Sequence, residues 1–209
     1  VAGARLVIKV GILELQGDFE LHHKILQELG YGSYSVKESA DLESLDGLII
    51  PGGESTTMSL LIDSFNLRKS ILDFSTVNPI LGTCAGLILM AKIIEDESKV
   101  NPLGILDVEV SRNSYGPQIM SKKENIKIEL NSKIFDMEVT LIRAPKILKI
   151  NKNINVIAEI DNSPAAVFDG KHMGLSFHPE LNGVTFFHEM LFSSSSTLSF
   201  KNSESINAA

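Results

Sequence analysis

The sequence predicts an α/β fold with a mostly parallel central sheet and an antiparallel extension. Three observations carry that expectation. In the first half, apolar runs of four to eight residues alternate with longer stretches of helical period, as in strands joined by crossover helices. After Ser98 the pattern changes to short strand-like runs separated by turns such as Asp169-Gly170, as in an antiparallel extension of the same domain. Finally, 209 residues with 44% hydrophobic and 22% charged content suffice for one well-buried domain or two small ones.

The elements follow in order. Residues 6–15 read as the first strand; Lys9, Gly11 and Glu14 break the run, which separates it from a signal peptide. Residues 19–29 read as a helix ending at Gly30, a C-cap. A short strand is expected near 33–36 and a buried one at 47–51. Residues 56–74 read as one helix, with Met58, Leu61, Ile62 and Phe65 on one face. A strand ending at Ile80-Leu81 follows, and a packed helix over 87–94. The later strands are expected at 106–110, 126–130, 139–142, 156–160, 165–168 and 173–177, with a closing helix over 183–192. The Ser-rich end reads as disordered. No run reaches the ~18 apolar residues of a membrane span. The net charge of −7 argues against a nucleic-acid or anionic-membrane surface, and a single cysteine excludes an internal disulfide and suits a reducing cytosol.

That cysteine stands in Gly82-Thr83-Cys84-Ala85-Gly86, between a buried strand and a helix. A tight strand-to-helix turn lifts one side chain above the sheet, and only small neighbours fit around it. A helix N-terminus also favours thiolate over thiol. Cys84 therefore reads as a nucleophile, against the plain alternative of a small buried hydrophobe. A thiolate needs a base, and the base an orienting group. Among the five histidines, His178 follows the 173–177 strand and precedes Pro179-Glu180. Sites in such sheets gather at the C-terminal strand ends, so His178 can share an edge with Cys84, and Glu180 can hold its tautomer. A bare His-Pro-Glu also fits a structural histidine beside a surface glutamate.

Acyl chemistry further needs donors for an oxyanion. The Ala85 N–H is one, and the glycine pair in Pro51-Gly52-Gly53-Glu54-Ser55-Thr56-Thr57 can supply another. The same segment fits a βα turn capped by Ser55 or Thr56. It lacks the spacing of a P-loop. Arg112 and Arg143 each end a strand-like run, placed to bind a carboxylate or simply solvated.

Together, Gly82–Leu89 with Gly-Thr-Cys-Ala-Gly, the distant His178-Pro179-Glu180 and the upstream Pro51-Gly52-Gly53-Glu54-Ser55 resemble a class I glutamine amidotransferase. Gly11-Ile12-Leu13-Glu14-Leu15-Gln16-Gly17 and Ile142-Arg143-Ala144-Pro145 bring the resemblance closer to the glutaminase subunits of pyridoxal 5′-phosphate synthase. It runs over 9–192, leaving 1–8 as an N-terminal extension and 193–209 as a tail. The resemblance implies a three-layer, flavodoxin-like fold and hydrolysis of L-glutamine to L-glutamate and ammonia. The ammonia would pass to a separate barrel-shaped synthase subunit in a cytoplasmic hetero-oligomer. It implies neither cofactor nor metal.

Carried over by motif, Cys84 is the nucleophile, His178 the acid and base, and Glu180 its orienter. Gly53, Glu54, Ser55, Arg112, Ile142 and Arg143 would contact glutamine, Gly53 and Ala85 would form the oxyanion hole, and Gln16 would lie by the ammonia exit and partner interface. After Arg112-Asn113 the sequence departs from the family pattern, with Pro117 in place of an arginine and Lys123 reversing a charge. The rival readings are the glutaminase of imidazole glycerol phosphate synthase, a partner-independent thiol hydrolase, and a non-catalytic scaffold subunit.

Overall fold

Three apolar runs with no polar face make the centre of the molecule: β1 (Lys9–Leu13), β3 (Gly47–Ile50) and β4 (Ile80–Thr83), of which β3 and β4 are buried along their whole length. Strands of this kind need cover on both sides. The computed structural model, which describes residues 7–95, 99–112, 121–130 and 133–193, shows both covers. Around that centre run β2 (Gly32–Val36), β10 (Asn155–Ile160), β11 (Ser163–Phe168) and β12 (Met173–Leu175), giving a seven-stranded sheet ordered β10-β11-β12-β4-β3-β1-β2. Pairing is parallel from β12 to β2 and antiparallel at β10-β11-β12.

Side chains alternate between faces with the period of two that a strand imposes. Leu13, Leu48, Ile50 and Ile80 pack on one side with α2 (Ser55–Ser64), α3 (Leu67–Val77) and α4 (Ala85–Met90). Val10, Ile12, Ile49 and Leu81 pack on the other with α1 (Glu20–Glu28) and α5 (Phe186–Phe192). The result is the three-layer α/β arrangement. Among the described residues, no helix is long and apolar enough to cross a membrane.

Several expectations need correction. The helix read over 56–74 is two, because Asn66 adopts a left-handed conformation (φ 56°) that a right-handed helix cannot pass through. The helix read over 87–94 stops at Met90, and β5 (Ala91–Ile94) follows, pairing in parallel with β6 (Leu106–Ser111). A short apolar run does not distinguish a buried helix from a strand by period alone. β9 (Lys146–Ile150) was not anticipated; it has only Ile147 buried and pairs with β6. The antiparallel extension is present, and the later strands divide into three parts. Only β10 and β11 enlarge the central sheet, while β5-β6-β9 forms a second sheet and β7 (Lys122–Leu130) with β8 (Lys133–Leu141) a separate hairpin. The closing helix begins at Phe186, after a 3₁₀ turn over Pro179–Asn182.

Candidate active site

Cys84 occupies the single position between β4 and α4, at φ 49° and ψ −102°. A non-glycine residue there is strained and must be held by its surroundings. Its N–H donates to the Leu175 carbonyl at 2.8 Å, and its own carbonyl accepts from Ile88 N–H at 3.2 Å. The small neighbours are required by close packing: a Cβ on Gly86 would stand 2.9 Å from the Ile50 carbonyl carbon and closer still to its oxygen. The thiol is thereby fixed at the C-terminal edge of the sheet, 3.6 Å from the Ile142 carbonyl oxygen.

β12 lies beside β4, so the chain leaving it delivers His178 to the same edge. The His178 N–H bonds the Thr140 carbonyl of β8 at 2.9 Å, which fixes the backbone there. Pro179 opens the 3₁₀ turn, and that turn brings Glu180 Oε1 to 2.7 Å from His178 Nδ1. The Cys84 side chain interacts with the same ring. His178 and Glu180 are both buried. Burial alone would push the His178 pKa down. The bonds and charges of Cys84 and Glu180 outweigh it and raise the pKa to about 10. The structure thus brings Cys84 to the hydrogen-bonded pair His178–Glu180, which lies far along the chain from it.

The glycine loop after β3 lies against this line. Two contacts from the β1–α1 loop grip it: Asp18 N–H donates to the Gly52 carbonyl at 3.0 Å, and Glu54 N–H donates to Gln16 Oε1 at 2.8 Å. Glu54, rather than Ser55 or Thr56, caps α2, accepting from Thr56 N–H at 3.0 Å and Thr57 N–H at 2.6 Å. Although partial burial opposes it, these donors hold the Glu54 carboxyl far below its usual range, at about 2. Arg112, at the end of β6, reaches the same corner with Nη2 3.2 Å from Thr56 Oγ1 and 3.4 Å from Glu54 Oε1. It is therefore not a solvated strand terminus. Arg143 is exposed at φ 44°, directly after Ile142. Gln16 and Gly53 are in contact range, since a Cβ on Gly53 would stand 2.6 Å from Gln16 Oε1. Asn113 and Pro117 lie outside the described residues. Lys123 sits on the β7–β8 hairpin, paired with Glu138 at 2.6 Å.

The sequence reading passed over His22 and His188. Both are completely buried, with His22 Nδ1 2.8 Å from His188 Nε2 and His22 Nε2 3.7 Å from Glu180 Oε2. The available signal was spacing: His22 shares a helix face with the buried Ile25 and Leu26. Among the described residues, no group of His, Cys, Asp or Glu could hold a metal ion.

A thiol at a strand-to-helix elbow, beside a histidine hydrogen-bonded to a carboxylate, fits acyl transfer. Residues 12–194 match the model of the SNO glutamine amidotransferase family. The chain belongs to that family. Its SNO-family relatives include the pyridoxal 5′-phosphate synthase subunit PdxT of Oenococcus oeni, 42% identical over 88% of this chain and 95% of that protein. The subunit of the same name from Dictyoglomus turgidum is 42% identical over 87% of this chain and 96% of its own. A solved glutamine amidotransferase is 35% identical with a TM-score of 0.80, covering 86% of this chain and 95% of that one. PurLQS from Thermotoga maritima, at 17% identity and a TM-score of 0.64, shares the fold. This SNO-family chain is accordingly a glutamine amidotransferase on a three-layer α/β scaffold.

Proposed function

We propose that this chain hydrolyses L-glutamine to L-glutamate and ammonia in the cytoplasm. The ammonia passes directly to a barrel-shaped pyridoxal 5′-phosphate synthase subunit in a hetero-oligomer that makes vitamin B6. The observation that carries the reading is the Cys84 thiol at the elbow of a glutamine amidotransferase, beside the hydrogen-bonded pair His178–Glu180. The names of its relatives support the synthase assignment and favour it over imidazole glycerol phosphate synthase.

The Cys84 thiolate adds to the side-chain amide carbon of glutamine, and the oxyanion is held by the Ala85 and Gly53 N–H groups. His178, as imidazolium, gives its proton to the departing nitrogen, so ammonia leaves and a thioester remains. Neutral His178 then takes a proton from water, whose oxygen attacks the thioester carbon. Glutamate is released and the Cys84–His178 pair restored. Glu180 keeps the imidazole in the tautomer that faces Cys84.

Gly53, Glu54, Ser55, Ile142 and the two arginines hold the substrate, with Arg112 and Arg143 at its carboxylate end. Since the Glu54 carboxylate already caps α2 and meets Arg112, its part is to fix the loop and that guanidinium. Gln16 grips the glycine loop from the side where ammonia exits toward the partner. The catalytic unit spans 9–192, flanked by 1–8 and 193–209.

The test is glutamate release from L-glutamine, with and without the synthase subunit from the same source. Activity that rises with the partner and vanishes in Cys84→Ala is the expected result. A wild-type chain that binds the synthase with reduced Cys84 and still releases no glutamate is a scaffold, and the proposal falls.

A further inference from the structure

The buried polar groups do not stop at Glu180. Its Oε1 is taken by His178 Nδ1 at 2.7 Å, while Oε2 has no hydrogen-bond partner among the described residues. A buried carboxylate oxygen left unpaired is costly, so whatever faces that oxygen matters to how the group is held. His22 Nε2, from α1, lies 3.7 Å from it. The other ring nitrogen of His22 meets His188 Nε2 of α5 at 2.8 Å.

Two tautomer arrangements satisfy that imidazole pair, and they differ at the ends. If His22 Nδ1 donates, its Nε2 lone pair points at the carboxylate and His188 is left with a buried N–H and no acceptor, since its Nδ1 is unpartnered among the described residues. If His188 Nε2–H donates instead, His22 presents Nε2–H toward Glu180 Oε2, and the unpartnered atom of His188 is only a lone pair. Orphaned buried N–H groups are the rarer of the two, and an anion next to a lone pair is repelled. Both considerations select the second arrangement.

We propose that His22 is a positioning residue of the reaction: its Nε2–H, set in that tautomer by His188, holds the Glu180 carboxyl group aligned on His178 through its second oxygen. The inference rests on the glutaminase reading of Cys84, His178 and Glu180. At 3.7 Å the contact is one of charge and dipole rather than a short hydrogen bond. The groups facing His22 are His188 from α5, Glu180 and His178 from the segment after β12, Thr83 Oγ1 at 3.5 Å from the end of β4, and His23 on its own helix. Burial first, and then His188, His178 and His23, depress its pKa well below 6.5, so the ring is a neutral donor.

The experiment uses the full chain with the synthase subunit and L-glutamine, comparing wild type, His22→Leu, His22→Gln and His188→Phe. It reads kcat, KM and the basic limb of the kcat/KM profile against pH. On the free chain it also follows the pH dependence of Cys84 alkylation by iodoacetamide. Loss of a hydrogen-bond donor to a charged group predicts that His22→Leu lowers kcat about 10- to 100-fold, with KM within about twofold. The basic limb moves to lower pH, because a Glu180 no longer held in line supports the His178 imidazolium less. His22→Gln, whose amide N–H can stand in for Nε2–H, recovers most of both.

A folded His22→Leu with wild-type kcat and an unmoved limb overturns the proposal. So does a His22→Gln as slow as His22→Leu with its limb in place, which marks a merely structural residue. Should His22→Leu not fold, His188→Phe decides: a limb displaced downward supports the inference and an unmoved one overturns it. A wild-type chain without glutaminase activity sinks the underlying reading, while the alkylation profiles still report whether His22 couples to His178.

Discussion

Gly52 is the wall against which the His178 imidazole rests: a Cβ added to it would stand 2.9 Å from Nδ1 and closer still to Cε1. The ring has little room to retreat, since Nδ1 is bound to Glu180 at 2.7 Å and the Cys84 side chain interacts with the same ring. Gly52→Ala therefore moves the base off its line. Misplacement on this scale predicts a loss of about 10²-fold in kcat, with the circular dichroism spectrum and thermal transition close to wild type. An unchanged kcat with a folded protein would show that the ring does not need its present position.

That relationship marks where the sequence stopped being readable. Cys84 was legible because an elbow is local chemistry: a buried strand, a strained residue and small neighbours within five positions. His178 and Glu180 were legible because Pro179 fixes the turn between them and the strand before them ends at the edge where Cys84 stands. Gly52 offered only a glycine in a loop, and nothing in the chain order says which ring will lie over it. The His22–His188 pair was hidden for the same reason: α1 and α5 meet only after the sheet is assembled, and a histidine on a helix face reads as any amphipathic residue. At Leu87–Ile94 the apolar run was long enough for a helix but pairing with β6 decided otherwise at Ala91.

The break between α2 and α3 depends on one backbone conformation. Asn66 at φ 56° tolerates the left-handed region better than most residues, and an alanine there keeps the strain without the side chain's local hydrogen-bonding options. Asn66→Ala is expected to lower unfolding stability by about 1 kcal/mol, read from the urea midpoint, while Asn66→Gly stays near wild type. Glutaminase activity is unaffected by either. If both substitutions leave the midpoint unchanged, the left-handed turn is not what separates the helices.

Glu180→Gln keeps the size of the side chain and removes its charge. The His178 pKa, raised to about 10 with Glu180 among the causes, then falls toward 6.5. The amide can also donate to Nδ1, which favours the tautomer with its proton toward Cys84. By analogy with the amide replacement in a serine triad, kcat falls by up to about 10⁴-fold, and the basic limb of its pH profile moves to lower pH. A variant with both parameters unaltered would remove Glu180 from the mechanism.

The same buried histidines give the fold a defined response to acid. His188 is held neutral by burial, with a pKa of about 3 against 6.5 for an ordinary histidine, and His22 is depressed in the same direction, by burial first and then by His188. Between those values the unfolded chain binds more protons than the folded one, so unfolding free energy rises with pH across the window and is lost as pH falls from 6.5 toward 3. Glu54, lowered from 4.5 to about 2, adds a loss of the same sign below 4.5, a minor one because its side chain is about half exposed. His178 acts on the other side. Its raised pKa means that the stability it contributes is complete below 6.5 and disappears as pH climbs toward 10. Stability is therefore greatest near the ordinary histidine pKa and declines both ways. In His188→Phe, with Glu54 and His178 still present, the acid branch becomes shallower, while the alkaline branch moves to lower pH as His178 loses the support that the His22 tautomer provides. Urea midpoints taken near pH 5, 6.5 and 9 read both branches at once. An acid branch as steep in His188→Phe as in wild type would mean that the buried pair does not carry the acid sensitivity.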